Sequence, residues 1–501
     1  MSDKTAPRAM RRREFLRQCG GWAAGVLAVG SLSRCDGLPV VRQGQANPAL
    51  LSAAAADIYA EESRGPLEWW RHGVGQGGIN PSPLPQGVQD GLRDLHPRLV
   101  RVFLQEFFRI YTETGRFDWS RLDPYLESFA RNGAKVVASI CIKPKRLFQR
   151  IDQKLWRPTS EAEWQGVVSE LVSRYSVQRP IVSHWEILNE PDIGENGGTP
   201  FLISDPRSYF AFYRFTVDAI LRANPEAKVG GPAATFAGSE PLPGLIEECK
   251  RTGVQLDFVS WHRYDDDPKS HAAGVEQVKK RLLGFPGHRP GTMVTEWSKS
   301  FDPVSIEELA FHPSRAAIVA TTILAFMDSG LDWSFYYHLW DQYVRASDFK
   351  PFMSDAGVRN MVHHWNEVPH RFGLFGVNGE VRPQYFVFWM LGRMGSDRIS
   401  ASCDQPSLRI LAARSSAGIN AMLVNSGPET AGRLVTLKYH KLTPGVKRLT
   451  VYRIDSNRQW SEQPFHLNPT ERRTVETADE FSCQVVAPGS SVTFVKLRKG
   501  T

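Results

Sequence analysis

Cysteine is scarce in this chain. Six occur in 501 residues, at positions 19, 35, 141, 249, 403 and 483. None stands in a Cys-x-x-Cys pair or a zinc spacing, so a zinc module is excluded. Cys403 and Cys483 both fall in the C-terminal region and are the pair an oxidising compartment could join, with buried free thiols as the alternative. The apolar run Trp22 to Leu32 is too short and too rich in glycine for a stable membrane span. Basic runs are missing beyond the N-terminus. Residues 1–35 hold seven Lys/Arg and two Asp/Glu, so removing their net +5 from the formal +8 leaves +3. Nothing in that balance demands a nucleic acid partner. No HExxH, Walker motif or nucleophile elbow is present. The glycines of Gly73-Val74-Gly75-Gln76-Gly77-Gly78 open no helix, and Asn80-Pro81-Ser82-Pro83 follows them, which excludes a dinucleotide fingerprint. His363 and His364 are adjacent and so do not share a face, which argues against a metal there.

What is present begins with Arg11-Arg12-Arg13-Glu14-Phe15-Leu16-Arg17 ahead of that apolar run. A basic segment followed by a modest apolar one resembles a twin-arginine export signal, so an exported, periplasmic or secreted protein is expected. Gly44-Gln45-Ala46 offers a cleavage point. Leu32-Ser33-Arg34-Cys35 faintly resembles a lipoprotein box, in which Cys35 would carry a lipid anchor, although Arg34 stands where a small residue is expected.

Residues 36–66, with alanines at 53–56, read as a linker. From Leu67 onward strand-like and helix-like stretches alternate. Strands are expected to begin at 67, 99, 135, 181, 228, 258, 292 and 333. Helices are expected between them, among them 161–175 with Ser160 as cap and 314–329 stopped by Gly330. Eight βα units argue for an α/β fold, a (β/α)8 TIM barrel. After about residue 390 the pattern becomes short alternating strands separated by turns, which reads as a C-terminal β-sandwich. The expected organisation is an export signal and linker at 1–46, a barrel at 47–396 and the sandwich at 397–501.

Two stretches carry the chemistry. His184-Trp185-Glu186-Ile187-Leu188-Asn189-Glu190-Pro191 is an apolar strand that stops at a proline, which lacks an N–H and disfavours continuation of the ladder. Thr292-Met293-Val294-Thr295-Glu296-Trp297 is a second apolar strand ending in a carboxylate. Glutamates at the C-terminal ends of two parallel strands sit where such folds build their sites, and a pair of them equips a protein to split a glycosidic bond. Strand alternation puts His184, Glu186 and Leu188 on the face of Glu190. Glu186 then lies deeper, with Arg101 as its partner. Asn189 is placed to hydrogen-bond a sugar hydroxyl, or to close the turn. His262 and Tyr264 share a face near the lip, where the Tyr264 hydroxyl can orient Glu296 or simply help fill the barrel. Trp340 is a candidate platform under a sugar ring. Trp156, Trp297, Tyr337 and His338 are weaker candidates.

Trp185-Glu186-Ile187-Leu188-Asn189-Glu190-Pro191, Thr295-Glu296-Trp297, Arg101 within Leu99-Val100-Arg101-Val102, and Trp261-His262-Arg263-Tyr264 together resemble glycoside hydrolase clan A. Within it they resemble family 39, the β-xylosidase and α-L-iduronidase family. The likeness spans roughly residues 67–390. It implies a retaining hydrolase of oligo- or polysaccharides, with Glu190 as acid/base and Glu296 as nucleophile, about 5–5.5 Å apart. Arg101 would favour the charge on Glu296. No metal or organic cofactor is implied, because proton transfer and a carboxylate nucleophile suffice. Phe103 stands near a position where related enzymes often carry histidine. A transglycosylase would use the same two carboxylates. A carbohydrate-binding protein without activity remains the reading from another class, and loss of either glutamate would have favoured it.

Overall fold

The computed structural model describes residues 51–300, 311–368, 370–457, 460–462 and 465–500. The expected export signal, its cleavage point and Cys35 lie outside the described residues. Among those described, no helix is long and apolar enough to cross a membrane.

The described chain opens with β1 (Ser52–Pro66). Eight parallel strands then close into a barrel in chain order. They are β2 (His72–Gln76), β3 (Leu99–Gln105), β4 (Lys135–Cys141), β5 (Val182–Ile187), β6 (Lys228–Ala234), β7 (Phe258–Tyr264), β8 (Gly291–Ser298) and β9 (Trp333–Tyr337). Helices between the strands start and stop where local chemistry dictates. Ser160 accepts the Glu163 N–H at the start of Glu161–Val172, and Asp205 accepts the Ser208 N–H at the start of Pro206–Ala223. Gly330, at φ 64°, closes Ser314–Ser329 in the left-handed conformation that glycine adopts without penalty.

Alternation along the strands sorts the barrel interior into layers. Leu99, Val137, Phe258, Met293 and Phe335 form an apolar plug. Two residues further along their strands stand Arg101, Ser139 and Ser260, all fully buried. The barrel thus changes from oil to ionic network within one residue pair, and the network faces the strand ends that carry the glutamates.

The C-terminal region supplies β10 (Asp397–Cys403), β11 (Leu408–Ser415), β12 (Gly418–Asn425), β13 (Arg433–His440), β14 (Gly445–Ile454), β15 (Trp460–Glu462), β16 (Phe465–Leu467), β17 (Pro469–Thr477), β18 (Phe481–Ala487) and β19 (Ser491–Lys499). Nine strands form one sheet in the order β17-β14-β19-β12-β11-β10-β1-β13-β18. The sheet folds over, so that Asn425 on β12 donates to the Ala487 carbonyl on β18 (3.1 Å), and its two halves enclose a second apolar core. The expected sandwich is therefore a single bent sheet.

One expectation is corrected here. The segment read as the end of a linker is β1, which pairs antiparallel with β10 and in parallel with β13. Ala54, Ala56, Ile58 and Ala60 alternate into the second core. Alanine has little intrinsic preference for strands, so this alternation was easy to miss, and the pairing partners that enforce it lie more than 300 residues away. The sheet also lies against the barrel: Trp389, on helix Tyr385–Leu391, packs on Tyr452, and Tyr452 on Phe494.

Cys403 and Cys483 are free thiols. Cys403 pairs with Ala56, Ala56 with Leu437, and Leu437 with Cys483, so three strand spacings separate them. That is about 14 Å, beyond the reach of a disulfide.

Candidate active site

The network starts at Arg101 on β3. Burial opposes its charge, but Glu186 and Glu296 outweigh that and hold the guanidinium above its ordinary pKa. Its Nη2 and Nε donate to Glu186 Oε2 at 2.7 and 2.9 Å. Nη1 donates to Glu296 Oε2 at 3.0 Å, and Nη2 also reaches Asn189 Oδ1 at 2.6 Å. Glu186 is thus the buried partner that alternation foresaw. Arg101 does more than foreseen, since one planar fork fixes residues from β5, β8 and the turn after β5.

Glu296 owes its direction to an irregularity. Trp261 pairs with Val294 but His262 pairs with Glu296, so β8 carries an extra residue there. Met293 points into the plug, and regular alternation would send Glu296 outward to the helices. The bulge turns it inward instead, a common way of re-aiming a side chain beside an active site. Its Oε1 accepts from the Tyr264 hydroxyl and its Oε2 from Arg101. Burial first, and then the Glu296 charge, push the Tyr264 phenol well above its usual range, so it remains a donor.

Glu190 is positioned differently. The β5 ladder ends at Ile187, and the chain leaves it with Leu188 at φ 69° and Glu190 at φ 40°. Such conformations cost non-glycine residues about 1–3 kcal/mol each and persist only where the surroundings hold them. Here Ser139 donates to the Leu188 carbonyl (2.8 Å), Tyr209 to the Ile187 carbonyl (2.7 Å), and the Glu190 N–H to the Ala233 carbonyl (2.9 Å). The parity argument from the sequence holds through Glu186 and lapses beyond Ile187.

The two carboxylates meet over His262. Its Nδ1 lies 3.0 Å from Glu190 Oε1 and 3.8 Å from Glu296 Oε2. One ligand atom each of Glu190, His262 and Glu296 fall within 4.8 Å of one another. Three such groups also fit the donor set of a divalent metal. The Arg101 guanidinium on Glu296 places a competing positive charge at the same spot, which disfavours that use.

Asn189 is buried, and its amide oxygen is taken by Arg101, which leaves its NH2 group to donate to a ligand. Trp340, three residues past β9, is half-buried, with its indole N–H on the Val377 carbonyl (3.2 Å) and its backbone N–H on Gln76 (2.8 Å). Phe103 lies under the Arg101 guanidinium at 4.2 Å. Among the weaker candidates, Trp297 is buried outside the barrel against Phe326 and Tyr336. Tyr337 donates to the Gly77 carbonyl (2.8 Å), and His338 bonds Asp341 (2.7 Å).

Two neighbours escaped the sequence reading. A Cβ on Gly197 would collide with the Glu190 carboxylate and lie 2.8 Å from its Cβ, so glycine there lets backbone cover the acid. The cluster Gly194-Glu195-Asn196-Gly197-Gly198 soon after Asn-Glu-Pro was the available signal. Asp192 sits beside Glu190 and accepts from Ser239 at 2.6 Å. Burial, with the Glu190 charge adding to it, pushes Asp192 up to about 6 against its hydrogen bonds.

The family model for glycosyl hydrolases family 39 matches residues 57–429. A beta-xylosidase of Caldicellulosiruptor saccharolyticus is 24% identical over 410 residues, covering 74% of this chain and 78% of that one. A monomeric beta-xylosidase structure from Caulobacter crescentus CB15 superposes with a TM-score of 0.69 at 18% identity, over 90% of this chain and 100% of that one. A GH39 enzyme from Xanthomonas axonopodis pv. citri gives 0.70 at 16%, over 91% and 100%.

Proposed function

Because the chain belongs to glycosyl hydrolases family 39 and is therefore a glycosidase acting on O-glycosyl bonds, we propose that it cleaves oligo- or polysaccharides by double displacement through Glu296 and Glu190. In the first step a Glu296 oxygen attacks the anomeric carbon while Glu190 gives its proton to the departing oxygen. In the second, Glu190 takes a proton from water, which releases the sugar from Glu296 with retained configuration. Arg101 and Tyr264 donate to the two oxygens of Glu296 and keep it aimed. Asn189 donates to a sugar hydroxyl beside the reacting carbon, and Trp340 offers a ring face to the sugar. The observation that carries this reading is that one oxygen of Glu190 and one of Glu296 lie within 4.8 Å of each other across His262. Inverting enzymes need about 6.5–9.5 Å to admit water between the two groups.

The roles are tested by chemical rescue. Glu296→Ala stops the first step on every substrate, and azide added to it gives a glycosyl azide of inverted configuration. Glu190→Ala loses about 10²–10⁴-fold on natural substrates but little in the first step with an activated aryl glycoside. Azide then restores turnover with retained configuration. The same anomer from both variants would falsify the assignment. Product analysis with a sugar acceptor present separates hydrolysis from transglycosylation.

Export by the twin-arginine route is proposed on the basic run directly before the apolar one. Changing Arg11, Arg12 and Arg13 together to Lys should hold the protein in the cytoplasm, and unchanged export would refute the route.

A further inference from the structure

The face of β14, β17 and β19 turned away from the second core carries, beside the contact of Tyr452 with Trp389, a groove of about 560 Å³ lined by Arg448, Arg472, Arg473, Lys496 and Arg498 with Tyr452 at its floor. No aspartate or glutamate lines it. The sheet register stacks these cations. Arg448 lies directly opposite Arg498, and Thr450 stands between Arg472 and Lys496. Like charges directly opposite one another destabilise a sheet. Arg473 pairs with Glu471 (2.9 Å). Among the described residues Arg472, Lys496 and Arg498 enter no ion pair, and Arg498 Nε is buried without a hydrogen-bond partner. Burial, then Arg498 and Arg393, push Lys496 down to about 8. The chain outside residues 1–35 is nearly balanced at +3, so this concentration is local. The groove lies on the sheet and shares no residue with the barrel site.

We propose that this groove binds an acidic polysaccharide, a chain bearing carboxylate or sulfate groups at regular spacing. Cations arrayed along strands meet repeated anions in register, and the Lys496 ammonium, 5.7 Å from the centroid of the buried Tyr452 ring, is held over the groove floor. The choice of a glycan among polyanions rests on the saccharide chemistry proposed for the barrel. The groove anchors the enzyme to an anionic matrix at a place separate from the cut.

Binding is measured by calorimetry on the full chain carrying Glu296→Gln, so that no polymer is consumed. Polygalacturonate supplies carboxylates, heparin supplies sulfates, and neutral xylan is the control. At least one acidic polymer binds, xylan binds far less, and affinity falls with salt, because exposed charges are screened. Combined R472Q, K496Q and R498Q weakens binding about tenfold or more. Arg472→Lys with Arg498→Lys keeps most of it. The same groove substitutions in the otherwise unaltered enzyme leave aryl glycoside hydrolysis unchanged, which separates failure of the groove from failure of the catalytic assignment. Should the triple variant not fold, exposed Arg472→Gln alone must still reduce affinity. Equal binding by parent and variants, no binding to either acidic polymer, or tighter binding to single-stranded DNA or phosphatidylserine vesicles would overturn the proposal.

Discussion

Glu190 and Glu296 approach within 4.8 Å of each other, yet the barrel delivers them by opposite means. Glu296 stays inside a strand and is turned inward by one extra residue, then clamped between the Arg101 guanidinium and the Tyr264 hydroxyl. Glu190 lies beyond the end of its strand on a left-handed turn, capped by the backbone at Gly197 and flanked by His262 and Asp192. Two identical side chains can take different roles when one is held by cationic and phenolic donors and the other is covered by backbone and faced by a second acid. In the proposed mechanism the environment, rather than the residue type, divides nucleophile from acid.

The largest effect should come from removing what holds Glu296. Arg101→Met leaves Glu186 buried without its charge partner, and breaking such a pair costs about 3–5 kcal/mol. Denaturant unfolding should report that loss, and the folded remainder should show low turnover on activated and natural glycosides alike. Retention of full stability would mean that Glu186 does not depend on Arg101.

Gly197→Ala strikes the other carboxylate. The new Cβ must displace Glu190, and misplacement of a catalytic group costs on the order of 10²-fold. The loss should fall on natural substrates that need protonation and largely spare aryl glycosides with good leaving groups. An equal loss on both would indicate general disruption of the mouth.

Asp192→Asn is the mildest change. A negative charge beside Glu190 opposes loss of its proton, so removing that charge lets Glu190 ionise at lower pH. The basic limb of kcat/KM against pH should move down. A shift upward, or none, would show that Asp192 does not act on Glu190.

Much of the barrel was legible in the chain. Seven of its strands begin within one residue of the expected places, because a strand buried on both faces must be apolar along its length, while some of their ends differ, as where β5 stops at Ile187. The helix from Ser314 to Ser329 and its glycine stop follow from local rules. The first barrel strand begins only at His72, since Trp69–Arg71 forms a short 3-10 turn before it. The strand β1 was not legible, because small alanines signal burial only once β10 and β13 lie beside them.

The sequence by itself determined that two glutamates would stand at two strand ends, that an arginine would meet Glu186, and that His262 and Tyr264 would lie near the lip. These depend on period-two alternation and on the proline after Glu190, which are local. Tertiary structure alone decided that Glu296 faces inward, that Arg101 also grips Glu296 and Asn189, and that Gly197 lies over Glu190. A bulge exists only relative to a neighbouring strand, and a fork of hydrogen bonds joins residues as many as 195 positions apart. Neither is a property of any one stretch of chain, so both had to wait for the closed barrel.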